Sequence, residues 1–359
     1  MICANTQIPT TGFLSNGRYH ILVTSAGGGF SRQHETALTR WQEDFTRDNW
    51  GTFIYVRDLA TRDYWSASLQ PTLRCEANYQ ASLSGAKAAL DSSAFEVSTH
   101  TEITVIPDDD VELRRITITN HADKRRELDL TSYAEIVLDS PAVDDAHPAF
   151  SKLFVETEVV GGAQAIVCHR RGETRQPWLF HSAFADDADR VDSAGISYET
   201  DRARFLGRGC TTANPAAMSD FTPLAGTQGS VLDPIVSVRC PVALEPEQSA
   251  TVTYLFGAAE NREACLRLLS EYRNSESVDR GFQQASQQFQ SDLQELKLTE
   301  HDIGLFDHLA SSVIYGNSSL RADPDTIVKN QRDQSGLCWG TQAKVCANKW
   351  ARKRRYPAQ

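Results

Sequence analysis

From Leu14 to Ala258 the sequence is a succession of short segments rich in β-branched and aromatic residues, each closed by Gly, Pro, Asn or Asp. No helix-period stretch stands between them, and this constrains the fold more than any other feature. Parallel strands need long, usually helical crossovers, so their absence predicts antiparallel strands stacked as two large sheets. No internal repeat of fixed period is visible.

The stretch Leu14–Pro71 carries the densest signals. Asn16 and Gly17 mark a turn, Tyr19–Thr24 reads as a strand, and Gly27, Gly28 and Gly29 supply backbone freedom. A basic and aromatic loop and two further strands follow. Arg32, Arg40, Trp41, Arg47, Trp50, Arg57, Tyr64 and Trp65 together suggest a wall for a sugar, because rings stack on apolar sugar faces and guanidiniums take hydroxyls. From this set Arg32, Trp41, Trp50, Arg57 and Trp65 are the candidate binding residues. Strand aromatics are also frequent core residues, and Arg57 and Trp65 have the alternative of bracing the sheet against a helix.

Further on, Phe95–Ile106 alternates, Pro107–Asp110 turns the chain, and strands are expected through Leu113–Ile118 and Leu128–Leu138. The acidic run Asp108–Asp110 reads as a solvated hairpin tip rather than a calcium loop. The segment DSPAVDDAHPAF reads as a loop, in which Asp144, Asp145 and His147 combine carboxylates with an imidazole; His147 joins the binding candidates. Strands continue at Ala165–Arg170, Trp178–Ala185, Val231–Val238 and Thr251–Ala258, with Pro241 and Pro246 at edges or turns.

At Asn261 the period changes to that of helices. Asn261 caps a first helix with Cys265, Leu268, Leu269 and Tyr272 on one face. Val278, Phe282, Ala285, Phe289, Leu293 and Leu296 define a second over Ser275–Leu296, and Ile303–Ile314 a third. The last residues, from Cys338, are basic and without a stable period, which predicts a disordered tail.

A net charge of −11 argues against a nucleic-acid surface and suits a neutral glycan. The eight cysteines show neither a CxxC pair nor a His at ligand spacing, so neither a metal nor any other cofactor is expected, and free thiols are. With no apolar run long enough to span a bilayer and no signal peptide, a cytoplasmic chain is expected.

In SNGRYHILVTSAGGGFSR, TRWQED, WGTFIYVRD, AHPAFSKLFVETE and DRARFLGRG, taken in order, the chain resembles the amino-terminal part of the phosphorylases of glycoside hydrolase family ninety-four. Those motifs look most like the phosphorylase-like region of cyclic β-1,2-glucan synthases. The resemblance implies a galactose-mutarotase-like β-supersandwich of two antiparallel sheets, then a short α-helical linker, then an (α/α)6 barrel that holds the catalytic aspartate. The expected domains are a leader at 1–13, the supersandwich at 14–260, the linker at 261–322, the start of a truncated barrel at 323–337 and the tail at 338–359. The resemblance implies a β-glucan or oligosaccharide as ligand, a homodimer through the sandwich, and no catalytic residue in this chain by itself. Two alternatives are a self-sufficient mutarotase-like enzyme using His147, His169 or His181, and a plain interaction module.

Overall fold

The structure is a computed structural model, and it describes residues 9–44, 46–74, 79–172, 177–185, 195–315, 317, 320 and 322–329. Among the described residues of the unit that ends at Tyr315, seventeen strands form two antiparallel sheets of nine and eight strands. The nine-stranded sheet starts with β1 (Thr11–Ser15), β2 (Tyr19–Thr24), β3 (Gly29–Gln33) and β4 (Thr36–Thr39). It continues through β11 (Arg126–Asp139) and β16 (Pro234–Leu244) to β15 (Ser197–Asp201), while β5 (Phe53–Asp58) pairs with β11 and β6 (Tyr64–Ser66) with β5. The eight-stranded sheet holds β7 (Gln80–Leu83), β8 (Ala88–Ala94), β9 (Val97–Val105) and β10 (Val111–Asn120). Its other half is β12 (Val155–Val160), β13 (Ala165–Arg170), β14 (Trp178–Phe184) and β17 (Ser249–Ala259).

Alternation along the strands decides what lies between the sheets. Val236, Val238 and Cys240 of β16 and Leu128, Leu130, Ala134, Ile136 and Leu138 of β11 point into the main core. Their neighbours Ile235 and Tyr133 belong to a separate cluster on the outer face, with Phe205, Leu206, Ala217 and Met218. Pro241 does lie at an edge. It pairs with Asp129 of β11 on one side, whereas β15 ends its pairing at Arg239 on the other, so the missing N–H interrupts no second ladder.

Three features differ from the sequence reading. The supersandwich opens at Thr11, inside the expected leader. The residues after Asp139 form two short helices, α1 (Pro141–Ala146) and α2 (Pro148–Ser151), each with proline at its start, where the missing N–H costs nothing. In DRARFLGRG the side chain of Asp201 accepts from the Ala203 N–H and starts α3 (Arg202–Leu206), and α4 (Ala216–Ser219) follows.

The helical part begins at Asn261. Asn261 caps α5 (Arg262–Tyr272), and Cys265, Leu268, Leu269 and Tyr272 pack on the eight-stranded sheet with Val278 and Phe282 of α6 (Ser275–Leu296). Leu296, by contrast, is exposed. The third helix, α7 (Glu300–Ile314), buries Ser311 and Ser312 and leaves Phe306, Leu309 and Val313 exposed. Its attachment is polar: the Ser311 hydroxyl accepts the Thr11 N–H at 3.0 Å. The second unit, 316–359, contains a helix α8 (Pro324–Lys329); the expected tail at 338–359 lies outside the described residues.

Candidate functional site

Phe30 and Arg32 alternate on β3 and so share a face, as do Ala37 and Thr39 on β4, and Arg32 pairs in register with Ala37. That face points away from the main core, since Leu38 of β4 and Ile21, the partner of Ser31 on β3, point into it. With Val137, the chain from Arg40 to Glu43, and Pro141, Asp144 and Asp145 at α1, these residues enclose a cleft of about 500 Å³. Trp41 forms one wall. Its ring meets Phe30 edge-on at 5.6 Å and Tyr315 at 6.1 Å, and the Arg32 guanidinium lies 5.3 Å from the Phe30 centroid.

The cleft is held by ions drawn from distant parts of the chain. Arg40 is buried, and its Nε and Nη2 each donate to Asp144 at 2.8 Å, while Nη1 donates to Glu135 at 3.0 Å. Arg202 reaches Glu135 at 2.6 Å, and Lys152 lies 2.7 Å from Asp233. Burial works to lower the pKa of Arg40, but the bonds and charges of Asp144 and Glu135 outweigh it and the net shift is upward. Burial likewise pushes Glu135 up, yet Arg202 and Arg40 hold its carboxyl below the usual range. Both oxygens of Asp144 are taken by Arg40, so this carboxylate positions α1 rather than offering a proton. Glu43 and Asp145, exposed at the rim, are the carboxylates left for a ligand.

Behind Trp41 the loop is anchored by Asp48. The Thr24 hydroxyl donates to one carboxylate oxygen and the Tyr315 hydroxyl to the other at 3.3 Å. A Cβ on Gly28 would sit 2.3 Å from the same carboxylate, so glycine is required for this approach. Burial pushes Asp48 up to about 6, against an ordinary value of 3.8. A folded-state pKa raised in this way contributes stability that is full below about 3.8 and is lost as the pH rises through about 6. Asp48→Asn, which keeps the shape without the charge, is therefore expected to stabilise the protein by about 2–3 kcal/mol at neutral pH and to be near neutral under acid conditions. Urea unfolding at the two pH values checks this; equal effects at both would contradict it.

Of the six binding candidates, the structure brings Arg32 and Trp41 together in the cleft. Trp50 sits nearby in chain, its carbonyl accepting from the Gly29 N–H at 2.8 Å, but does not line the cleft. Arg57 and Trp65 do not join the wall. Arg57 is buried, paired with Asp129 and bonded to the carbonyls of Ala217 and Asp220. Trp65 is 0% exposed, its ring 5.3 Å from Phe95. His147 is exposed between α1 and α2, outside the cleft lining. Of the mutarotase-like candidates, His181 is buried, with Nε2 2.7 Å from the Ser132 hydroxyl and Nδ1 3.0 Å from the Leu255 carbonyl. Burial pushes it down to about 3, so it stays neutral. His169 stacks on Trp178 at 4.2 Å, and none of the three histidines lines the cleft.

Sequence reasoning missed the part of Arg40 and Asp144, 104 residues apart. Among the described residues no group of side chains has the makings of a metal site, and no helix is long and apolar enough to cross a membrane.

Residues 3–275 match the family described as glycosyl hydrolase 94, supersandwich domain. The chain is 32% identical over 327 residues to the cyclic beta-(1,2)-glucan synthase NdvB of Rhizobium meliloti (strain 1021), covering 91% of this chain and 12% of that protein. It is 25% identical over 281 residues to the N,N'-diacetylchitobiose phosphorylase of Vibrio furnissii, covering 76% of this chain and 34% of that protein. Among solved structures, a bacterial glucoamylase complexed with acarbose superposes with a TM-score of 0.50 at 9% identity, over 84% of this chain and 40% of that one, a likeness of fold alone. The chain thus belongs to the glycosyl hydrolase 94 supersandwich family, and it spans about an eighth to a third of the length of these two curated relatives.

Proposed function

We propose that this chain is the non-catalytic, sugar-contacting and scaffolding sandwich of a cyclic β-1,2-glucan synthase or related glycoside phosphorylase. The observation that carries this reading is the Trp41 cleft. An indole wall, the Arg32 guanidinium and the rim carboxylates Glu43 and Asp145 meet over a buried ion network, a combination suited to stacking on a sugar ring and bonding its hydroxyls. Family membership supports a carbohydrate ligand, and the β-1,2 linkage of the glucan proposed here follows the likeness to a cyclic beta-(1,2)-glucan synthase.

The reading of inactivity has separate support. The buried cleft carboxylate is committed to Arg40, and the described histidines considered for acid and base work stand outside the cleft. Purified chain incubated with β-1,2-glucooligosaccharide and phosphate is expected to release no glucose 1-phosphate, while a titration with the same sugar shows weak binding. Trp41→Ala should weaken that binding about tenfold or more with little change in thermal midpoint, since the ring is only partly buried. Turnover by the purified chain would sink the non-catalytic part of the reading; a flat titration would sink the sugar-contacting part.

A further inference from the structure

The outer face of the nine-stranded sheet carries a second cavity, at its β15 edge. Ser197 pairs with Arg239 and Glu199 with Ser237, so these four residues share one face, and Glu199 and Arg239 are diagonal neighbours. Such neighbours stand about 7–8 Å apart along the backbone, within reach of two long side chains. Both are buried, at 2% and 3% exposure, yet among the described residues no ion pair joins them. A cavity of about 240 Å³ is lined by both, with Phe205 on one side and Thr222 and Leu224 of the covering loop on another.

Each group is held in place and left with spare capacity. Arg239 donates from Nε to the Thr131 hydroxyl at 3.0 Å, and from Nη1 and Nη2 to the carbonyls of Thr222 and Ala217 at 3.0 and 2.7 Å. That uses three of five N–H groups, none of them on a carboxylate, although Asp129 and Asp220 lie near enough to favour its charge. Burial, with Arg57 nearby, pushes its pKa down to about 10. Glu199 accepts the N–H groups of Thr200 and Asp201 at one oxygen, both at 2.9 Å, and at the other only the Thr227 hydroxyl, at 3.3 Å. On the same face the Ser237 hydroxyl is buried without a hydrogen-bond partner among the described residues. Buried polar groups are normally satisfied, and the spare capacity of Glu199 and Arg239, which both line the cavity, points to a ligand that meets it.

We propose that this cavity is a second binding site, separate from the Trp41 cleft, for one small neutral polyol of about monosaccharide size. The volume lies below the roughly 300–1,000 Å³ of sites for larger ligands. A carboxylate accepts from vicinal hydroxyls, a guanidinium donates to a third oxygen, and the Phe205 ring faces the apolar side. A zwitterion would match the two charges, but it would have to bring two more ions into a buried space, which neutral hydroxyls do not.

D-glucose serves as the probe, with glycine betaine as the zwitterion. Amide hydrogen exchange of the full chain is expected to slow in peptides covering 197–201 and 215–225 with glucose and not with betaine. Glu199→Gln keeps an acceptor for the Thr200 and Asp201 N–H groups and should raise the half-saturating concentration about tenfold, the loss of one charge-assisted bond. Ala225→Trp, at the exposed rim, should abolish protection without altering a buried group. Trp41→Ala should leave it unchanged, which separates this site from the cleft. Protection by betaine instead of glucose, protection unaffected by both Glu199→Gln and Ala225→Trp, or slowing confined to the Trp41 cleft would overturn the proposal.

Discussion

Arg40→Met is expected to destabilise the protein by about 3–5 kcal/mol, because it leaves the Asp144 carboxylate buried and without its cation. The nearby Arg202 still serves Glu135 at 2.6 Å, so the damage should centre on α1 and the cleft wall. Removing both charges tests the mechanism. In Arg40→Met with Asp144→Leu no lone ion remains, and a good part of the loss should return. Acid titration gives a second readout. Glu135 has its pKa depressed in the folded state, so its contribution is present above the ordinary value of 4.5 and lost as the pH falls through the folded value. Taking away Arg40 removes part of that depression, and the acid side of the stability profile should flatten. Denaturant unfolding across the acid range measures both effects. A loss below about 1 kcal/mol, with no recovery in the double variant, would mean that the network does not hold the cleft.

What the sequence revealed and what it hid follow from the range of the interactions. The strands through Leu113–Ile118 and Leu128–Leu138 and the helix Ser275–Leu296 were legible because period and turn residues are local signals. Asn261 was legible as a cap for the same reason. The helix α1 left a trace, Pro141 after Ser140, but within so short a segment the aspartates and His147 read more readily as a loop. The β3–β4 hairpin was hidden inside what read as a basic and aromatic loop, and its turn places His34, at φ 49°, where no glycine marks it. The exposure of α7 was illegible, since its apolar residues recur at helical spacing while Ser311 makes the contact to Thr11. Arg32 and Trp41 could be grouped because they stand close together in one basic and aromatic stretch; Arg40 with Asp144 could not, because nothing local connects the end of β4 to α1.

Trp65→Ala is expected to cost about 3–5 kcal/mol in stability and to leave sugar binding per folded molecule unchanged, the reverse of Trp41→Ala. The two indoles read alike in sequence, each beside arginines in the same stretch. Their environments differ. Trp65 lies on β6, which pairs with β5, and FIYVRD on β5 is a run whose residues are all buried, the mark of a strand covered on both faces. Val56, its direct partner, points with it into the main core, where Phe95 closes over the ring. Removing the indole there loses the packing of a large side chain and leaves a cavity that neighbouring strands cannot close. Among the described residues its Nε1 has no hydrogen-bond partner, so Trp65→Phe keeps most of the packing, removes an unsatisfied donor and should recover most of the loss. Thermal unfolding of the three variants, each paired with a β-1,2-glucooligosaccharide titration of the folded fraction, separates the roles. If Trp65→Phe, fully folded, lost sugar binding as Trp41→Ala does, the ligand would have to reach the sandwich core, and the assignment of the cleft to the outer face of the sheet would fall.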